Sequence, residues 1–249
     1  MTGPRGTDQA GRLEGNTDQA GRLKGNSDQQ ENIDRQSGLD RWGTLRWSIV
    51  VPVKVLDVAK SRLLAGGRAP DLALAFATDT VTAVLAASRV AEVVVVTNDP
   101  VVIQRMSRLG ARIITDPGGG LNPALDAGIA AVSSDAVAIL TGDLPALRPD
   151  ELDAALGLAS GHPLAVVPDA TGIGTTLISS RSVASFALRP QFGGLSRSAH
   201  EAAGHVVIPV DDASGLRNDV DTPDDLRRIL RNGAGAATRS STPEGISAG

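Results

Sequence analysis

The sequence predicts an α/β fold: a mostly parallel mixed sheet flanked by helices. The prediction rests on composition, on the alternation of segments and on their spacing. Hydrophobic residues make up 41% of the 249 residues but aromatics only 2%, with no Tyr. The core must therefore be built from Val, Leu, Ile and Ala, which suits buried parallel strands covered by Ala-rich helices. Between residues 44 and 232, short β-branched runs alternate with longer stretches of helical spacing. That order implies right-handed crossovers between parallel strands. The later strand candidates lie closer together, so part of the second half is expected to be antiparallel.

Residues 48–53 (SIVVPV) form an apolar run of strand length. After Pro70, residues 71–85 carry Leu72, Ala75, Phe76, Val81 and Val84 at helical spacing. Residues 93–96 are a β-branched run that stops at Thr97-Asn98-Asp99-Pro100, and a second helical stretch begins there. A strand is expected at 111–115, a helix at 122–132, a strand at 136–141 and a helix at 149–160. Further strands are expected at 164–167, 176–179 and 206–210. A helix over 222–230 closes the series, with Thr222 as N-cap, Pro223 at the first helical position and Asp224 and Asp225 in the first turn.

The ends read differently. Residues 6–15 (GTDQAGRLEG) return almost unchanged as 16–25 (NTDQAGRLKG), and a third copy starts at 26 and decays. A short period can build a solenoid, but each full copy offers one large apolar residue, Leu13 or Leu23, and stacking would bury almost nothing. Residues 1–43 are therefore expected to be a disordered tail. Small polar residues over 233–249 give the same expectation for a second tail, leaving 44–232 as the one folded domain.

Composition also excludes functions. The formal net charge is −4, so the chain is no polycation, and the scarcity of aromatics argues against base-stacking platforms for nucleic acid. Cysteine is absent, which removes disulfides, thiolate catalysis and Cys-ligated zinc. No apolar run approaches the ~18 residues of a membrane span. The N-terminus is polar and does not read as a secretory signal, so a cytoplasmic location is the expectation.

Ligands of open α/β sheets bind at the carboxyl ends of strands. After the first strand, one loop holds Lys54, Lys60 and Arg62. Three cations there suit a triphosphate; solvated surface charge is the plainer alternative. The loop has neither the glycines nor the Gly-Lys-Ser/Thr ending of a P-loop, so phosphate would have to be held by side chains. After the strand at 136–141 comes Gly142-Asp143-Leu144-Pro145. A carboxylate in a turn fixed by Gly and Pro is placed to hold Mg²⁺, which takes one or two carboxylates plus substrate phosphates and water. Taken alone, a helix cap or Asx-turn explains Asp143 better. Asp219, ahead of the Thr222 cap, supplies a second carboxylate, while Asp221 to Asp225 read as the start of the helix.

Weaker signals complete the set. The segment 170–177 (ATGIGTTL) is a glycine-rich turn entering a strand, with Thr175 and Thr176 as donors. The segment 192–200 (FGGLSRSAH) has backbone freedom at Gly193 and Gly194, then Ser196 near a helix start, where free N–H groups can meet anions. Asn122, after three glycines, either caps a helix or reads a nucleobase edge. His205 reads as strand-edge structure and His200 as a possible contact to substrate.

In this order, Lys54, 60–63 (KSRL), 120–122 (GLN), 142–145 (GDLP), 172–175 (GIGT), Phe192-Gly193 with Ser196, and 219–223 (DVDTP) resemble a known family. It comprises the guanylyltransferases of deazaflavin coenzyme F-420 biosynthesis, which act on phosphoenolpyruvate or 2-phospho-L-lactate. The resemblance spans 50–230 and neither tail. It implies a GT-A-like nucleotide-diphosphosugar transferase fold, with Mg²⁺ on Asp143 and Asp219, together with Lys54, as the catalytic centre. It also implies that Thr175, Gly193 and Ser196 contact the phosphorylated acid, that Lys54, Lys60 and Arg62 serve the GTP phosphates, and that Asn122 belongs to the nucleotide site. The product would pass to the next transferase of the pathway, and a homodimer is compatible with this picture. Val55 and Ile173 depart from the family pattern, where a basic residue and a Thr are common.

Two rival readings are weighed against it. Sugar-phosphate and molybdopterin nucleotidyltransferases carry a glycine-rich loop with an Arg after the first strand, and 53–64 contains no glycine. A nucleotide-binding module without catalysis could dispense with one of the two aspartates, and both are here.

Overall fold

In a computed structural model, residues 45–54 and 69–243 are described. The repeat of 1–43, with Lys60 and Arg62, lies outside them. A seven-stranded sheet of order β3-β2-β1-β4-β6-β5-β7 organises the domain. Its strands are β1 (Trp47–Pro52), β2 (Val90–Val96), β3 (Arg112–Ile114), β4 (Val137–Leu140), β5 (Leu164–Pro168), β6 (Thr175–Ser180) and β7 (Val206–Val207). The pairings β1–β2, β2–β3, β1–β4 and β5–β7 are parallel, whereas β6 runs antiparallel to both β4 and β5. This is the expected mixed sheet, with one reversed strand inserted between parallel neighbours. The last strand is shorter than the 206–210 read from sequence, because Pro209 has no N–H to give a ladder.

Both sheet faces are buried. Ile49, Val51, Val93, Val95, Ala138 and Leu140 belong to one apolar cluster, and Val50, Val94, Val96, Val137 and Ile139 to the other. This is period-two alternation with both sides apolar, as a covered parallel sheet requires. Helices α1 (Ala69–Ala86), α2 (Pro100–Leu109) and α4 (Pro149–Ala159) contribute Val81, Met106 and Leu156 to the first cluster. Helix α3 (Leu121–Ala131) contributes Ala124 and Leu125 to the second. It lies so close that a Cβ on Gly128 would stand 2.5 Å from a Val50 methyl. Two further helices, α5 (Ser196–Ala202) and α6 (Pro223–Asn232), carry site residues.

The C-terminal segment corrects the sequence reading. Residues 233–249 were expected to be a tail, but Ala236–Ser241 form α7, and Ala234 and Thr238 are buried. The holding group is polar, which is why hydropathy missed it. Asp79 of α1 accepts hydrogen bonds from the N–H groups of Ala237 (2.9 Å) and Thr238 (2.7 Å). No helix among the described residues is long and apolar enough to cross a membrane.

Candidate active site

Strand register sets one edge of the sheet apart. Leu140 of β4 pairs with Leu177 of antiparallel β6, and Pro168 of β5 pairs with Thr175. The carboxyl ends of β4 and β5 therefore lie beside the amino end of β6, where Thr175 stands next to the turn that carries Asp143. Lys54 follows the end of β1 at the same edge and is exposed.

The Asp143 turn is pinned from below. Buried Thr80 donates its hydroxyl hydrogen to the Phe76 carbonyl (2.8 Å) and accepts from the Leu144 N–H (3.0 Å). Gly142 packs tightly against β1, since a Cβ there would stand 3.0 Å from the Pro52 carbonyl oxygen. The second aspartate is tied to this turn directly: the Val220 N–H donates to the Asp143 carbonyl at 3.2 Å. Val220 is buried, Asp219 half-buried and Asp221 exposed.

Three carboxylates result. Asp143, Asp219 and Asp221 each offer an oxygen, and the three lie within 4.8 Å of one another. The sequence reading assigned Asp221 to the helix start; the structure also sets its carboxylate beside the other two. The capping box is Thr222 with Asp225: the Asp225 carboxylate accepts from the Thr222 N–H (2.9 Å), and Thr222 Oγ1 accepts from the Asp225 N–H (3.2 Å). Asp221 precedes that box, and its N–H also reaches the Asp225 carboxylate (3.3 Å). The Asp-Val-Asp alternation was the available signal, since alternate residues of an extended segment share a side. An all-oxygen cluster with no His or Cys suits a hard cation such as Mg²⁺, so the residues present fit a metal centre.

The second half of the site is built on β6 and α5. Asp169 shapes the turn before Thr175 by accepting from the N–H groups of Ile173 (3.2 Å) and Gly174 (3.0 Å). A Cβ on Gly174 would stand 2.3 Å from the Asp169 carboxylate, so a larger residue here would push that side chain off its bonds to the turn. The Arg197 N–H donates to the Ile173 carbonyl (3.2 Å), which joins the start of α5 to that turn. Ser196 and Thr175 are both buried there. The loop between carries Gly193 and Gly194 in the left-handed region, at φ 109° and 53°.

Asn122 does not cap α3: Gly120 occupies the cap position and no side chain bonds there. Its Oδ1 accepts from the Phe192 N–H (3.1 Å) instead, holding the Phe192-Gly193 loop against α3. His200 holds the same loop from the other side, because its Nε2 faces the Gln191 N–H at 3.0 Å. The structure sets Asp143 beside Asp219, and joins the start of α5, with Ser196, to the turn that leads into Thr175. It adds Asp221, Thr80 and Asp169, of which the last two act on backbone atoms and leave no motif of their own.

Residues 47–242 match the family described as "Guanylyl transferase CofC like". The chain belongs to this guanylyltransferase family. It is 48% identical over 202 residues to the phosphoenolpyruvate guanylyltransferase of Streptomyces coelicolor, covering 78% of this chain and 94% of that protein. A Desulfovibrio desulfuricans structure, provisionally identified as a nucleotide-diphospho-sugar transferase, superposes with a TM-score of 0.60 at 18% identity. It covers 81% of this chain and 94% of its own. A nucleotidyl transferase from Methanothermobacter gives 0.54 at 21% identity, over 76% of this chain and 99% of its own. These likenesses establish the nucleotidyl and nucleotide-sugar transferase fold.

In this guanylyltransferase-family chain, burial disfavours the charged form of both buried histidines. Burial lowers the His200 pKa from 6.5 to about 4, and the neighbouring His205 adds to that. Burial also lowers His205, partly offset by its bond to the His200 carbonyl. An unfolded histidine takes up its proton near pH 6.5, whereas folded His200 resists until about pH 4. The unfolded state therefore binds more protons in that window, and stability falls as pH falls through it. A depression of this size corresponds to about 3 kcal/mol. We expect the denaturant midpoint to be flat above pH 7 and to drop steadily from pH 6.5 towards 4. In a His200→Asn variant the drop should be shallower.

Proposed function

We propose that this protein transfers GMP from GTP to phosphoenolpyruvate, giving enolpyruvyl-diphospho-guanosine and pyrophosphate. The observation that carries the reading is the juxtaposition, at one sheet edge, of three carboxylates with the Thr175 and Ser196 corner. The 48% identity to an enzyme of that name supports the choice of acceptor. A phosphate oxygen of phosphoenolpyruvate is already anionic, so no Ser, Cys or His has to be activated. That oxygen attacks the α-phosphorus of GTP in line; the new P–O bond forms as the bond to the pyrophosphate oxygen breaks. What the chain must do is position two polyanions. Two anionic groups ~4 Å apart repel by roughly 4 kcal/mol at an effective dielectric near 20. Mg²⁺ on Asp143, Asp219 and Asp221 would supply the charge that offsets this.

Lys54, with Lys60 and Arg62, serves the triphosphate in this reading. Thr175, Gly193 and Ser196 hold the acid, and Asn122 keeps its amide donors for the guanine edge while its oxygen secures the loop. GTP as donor suits a cytoplasmic enzyme, and the product belongs to the coenzyme F-420 route. Pyrophosphate release from GTP and Mg²⁺ tests the proposal. Release should require phosphoenolpyruvate, and mass analysis should find the guanylated acid. Faster turnover with 2-phospho-L-lactate would reassign the acceptor, and release with neither acid would overturn the reading.

A further inference from the structure

His200 lies on α5 with no solvent exposure. Two polar neighbours define its protonation. A backbone N–H can only donate, so Nε2, facing the Gln191 N–H at 3.0 Å, must be the accepting nitrogen. A neutral ring then carries its single proton on Nδ1. Nδ1 faces Thr175 Oγ1 at 3.2 Å, so the imidazole donates and the threonine oxygen accepts. The Thr175 hydroxyl must therefore send its own hydrogen elsewhere, and among the described residues no acceptor is bonded to it. The alternative arrangement, in which Thr175 donates to the ring, would leave no hydrogen for a ligand.

The surroundings favour the neutral ring. Phe192 packs edge-on against His200 at 5.2 Å between centroids, and His205 at 5.3 Å. His205 Nδ1 bonds the His200 carbonyl at 3.0 Å, fixing the end of α5. One side chain thus touches both parts of the corner: the loop that precedes Gly193, and Thr175 on β6.

We propose that His200 is a positioning residue that turns Thr175 into an obligate hydrogen-bond donor for the acceptor's anionic oxygens and sets the Gln191–Gly193 loop beside it. This rests on the reading that Thr175 meets the phosphorylated acid. The KM of Thr175→Val alone tests that reading separately: no rise for phosphoenolpyruvate would sink it and leave the tautomer untouched.

Asn and Gln separate the two contacts, because the Asn amide nitrogen overlays Nδ1 and the terminal group of Gln overlays Nε2. His200→Asn should preserve the donor to Thr175 and keep KM for phosphoenolpyruvate within about threefold of wild type. His200→Gln should lose it and raise that KM about tenfold, with kcat and KM for GTP little changed. In a Thr175→Val background the Gln substitution should add nothing further, since the contact it removes is already gone. Equal KM values for Asn and Gln, or additive losses in the double variant, would overturn the proposal. Nitrogen-15 NMR of the folded wild type supplies a readout that survives poor folding of either variant. It should find the Nδ1-protonated neutral tautomer at pH 7, and the Nε2-protonated form would refute the assignment.

Discussion

Asp143→Asn should reduce guanylyl transfer by at least about a thousandfold while leaving the fold intact, and Asp219→Asn should do the same. Each change removes one unit of negative charge from a cluster whose oxygens lie within 4.8 Å of one another. At that range a carboxylate is worth about 3.5 kcal/mol against a unit charge at an effective dielectric near 20, and about twice that against a divalent ion, and every 1.36 kcal/mol is about tenfold in rate. The amide keeps the size and shape of the carboxylate. Thermal stability without metal should therefore not fall. The rise in Tm that Mg²⁺ gives the wild type should disappear from both variants. Asp221→Asn should lose less, because Asp221 is exposed and water can replace part of its role. Wild-type turnover in both Asp143→Asn and Asp219→Asn would remove the metal assignment altogether.

Asp143 stood out in sequence because it follows a buried strand in a turn fixed by Gly142 and Pro145, and because Asp219 offered a second carboxylate. Thr222 and Pro223 announced α6 by cap chemistry, and the structure starts the helix there. Asp221 was hidden by the same signal. It stood one residue before a recognisable cap and was absorbed into it, although the alternation Asp219-Val220-Asp221 pointed the other way. Helix α7 escaped because hydropathy registers apolar burial, whereas its first turn is held by a carboxylate from α1. The links between His200, Thr175 and Gln191 join separate segments and follow from tertiary register alone. Sequence could show that these segments were unusual; only the fold shows that one imidazole joins them.

Gly215→Ala is expected to have the second largest effect, although Gly215 lies outside every motif. A Cβ at this position would stand 2.0 Å from the Ala146 carbonyl oxygen, 2.3 Å from its carbon and 2.7 Å from the Leu147 nitrogen. All three are backbone atoms, so no rotamer change relieves the contact. The loop of Gly215 must withdraw from the turn that begins at Asp143. Asn218 makes that loop stiff, since its amide donates to the carbonyls of Ser214 (2.6 Å) and Asp212 (3.1 Å). The displacement is therefore passed on to Asp219, next in the chain. Overpacking of this kind costs about 1–3 kcal/mol in stability, and the Mg²⁺-dependent rise in Tm should shrink with it. Gly157→Ala is the matched control. It lies in α4, and its Cβ would meet only the Arg89 side chain at 3.5 Å, an ordinary contact. Ala in a helix interior should raise stability there by about 0.5–1 kcal/mol and leave turnover unchanged. If Gly215→Ala keeps both the wild-type Tm and its response to Mg²⁺, the close approach of these two loops does not set the carboxylate spacing.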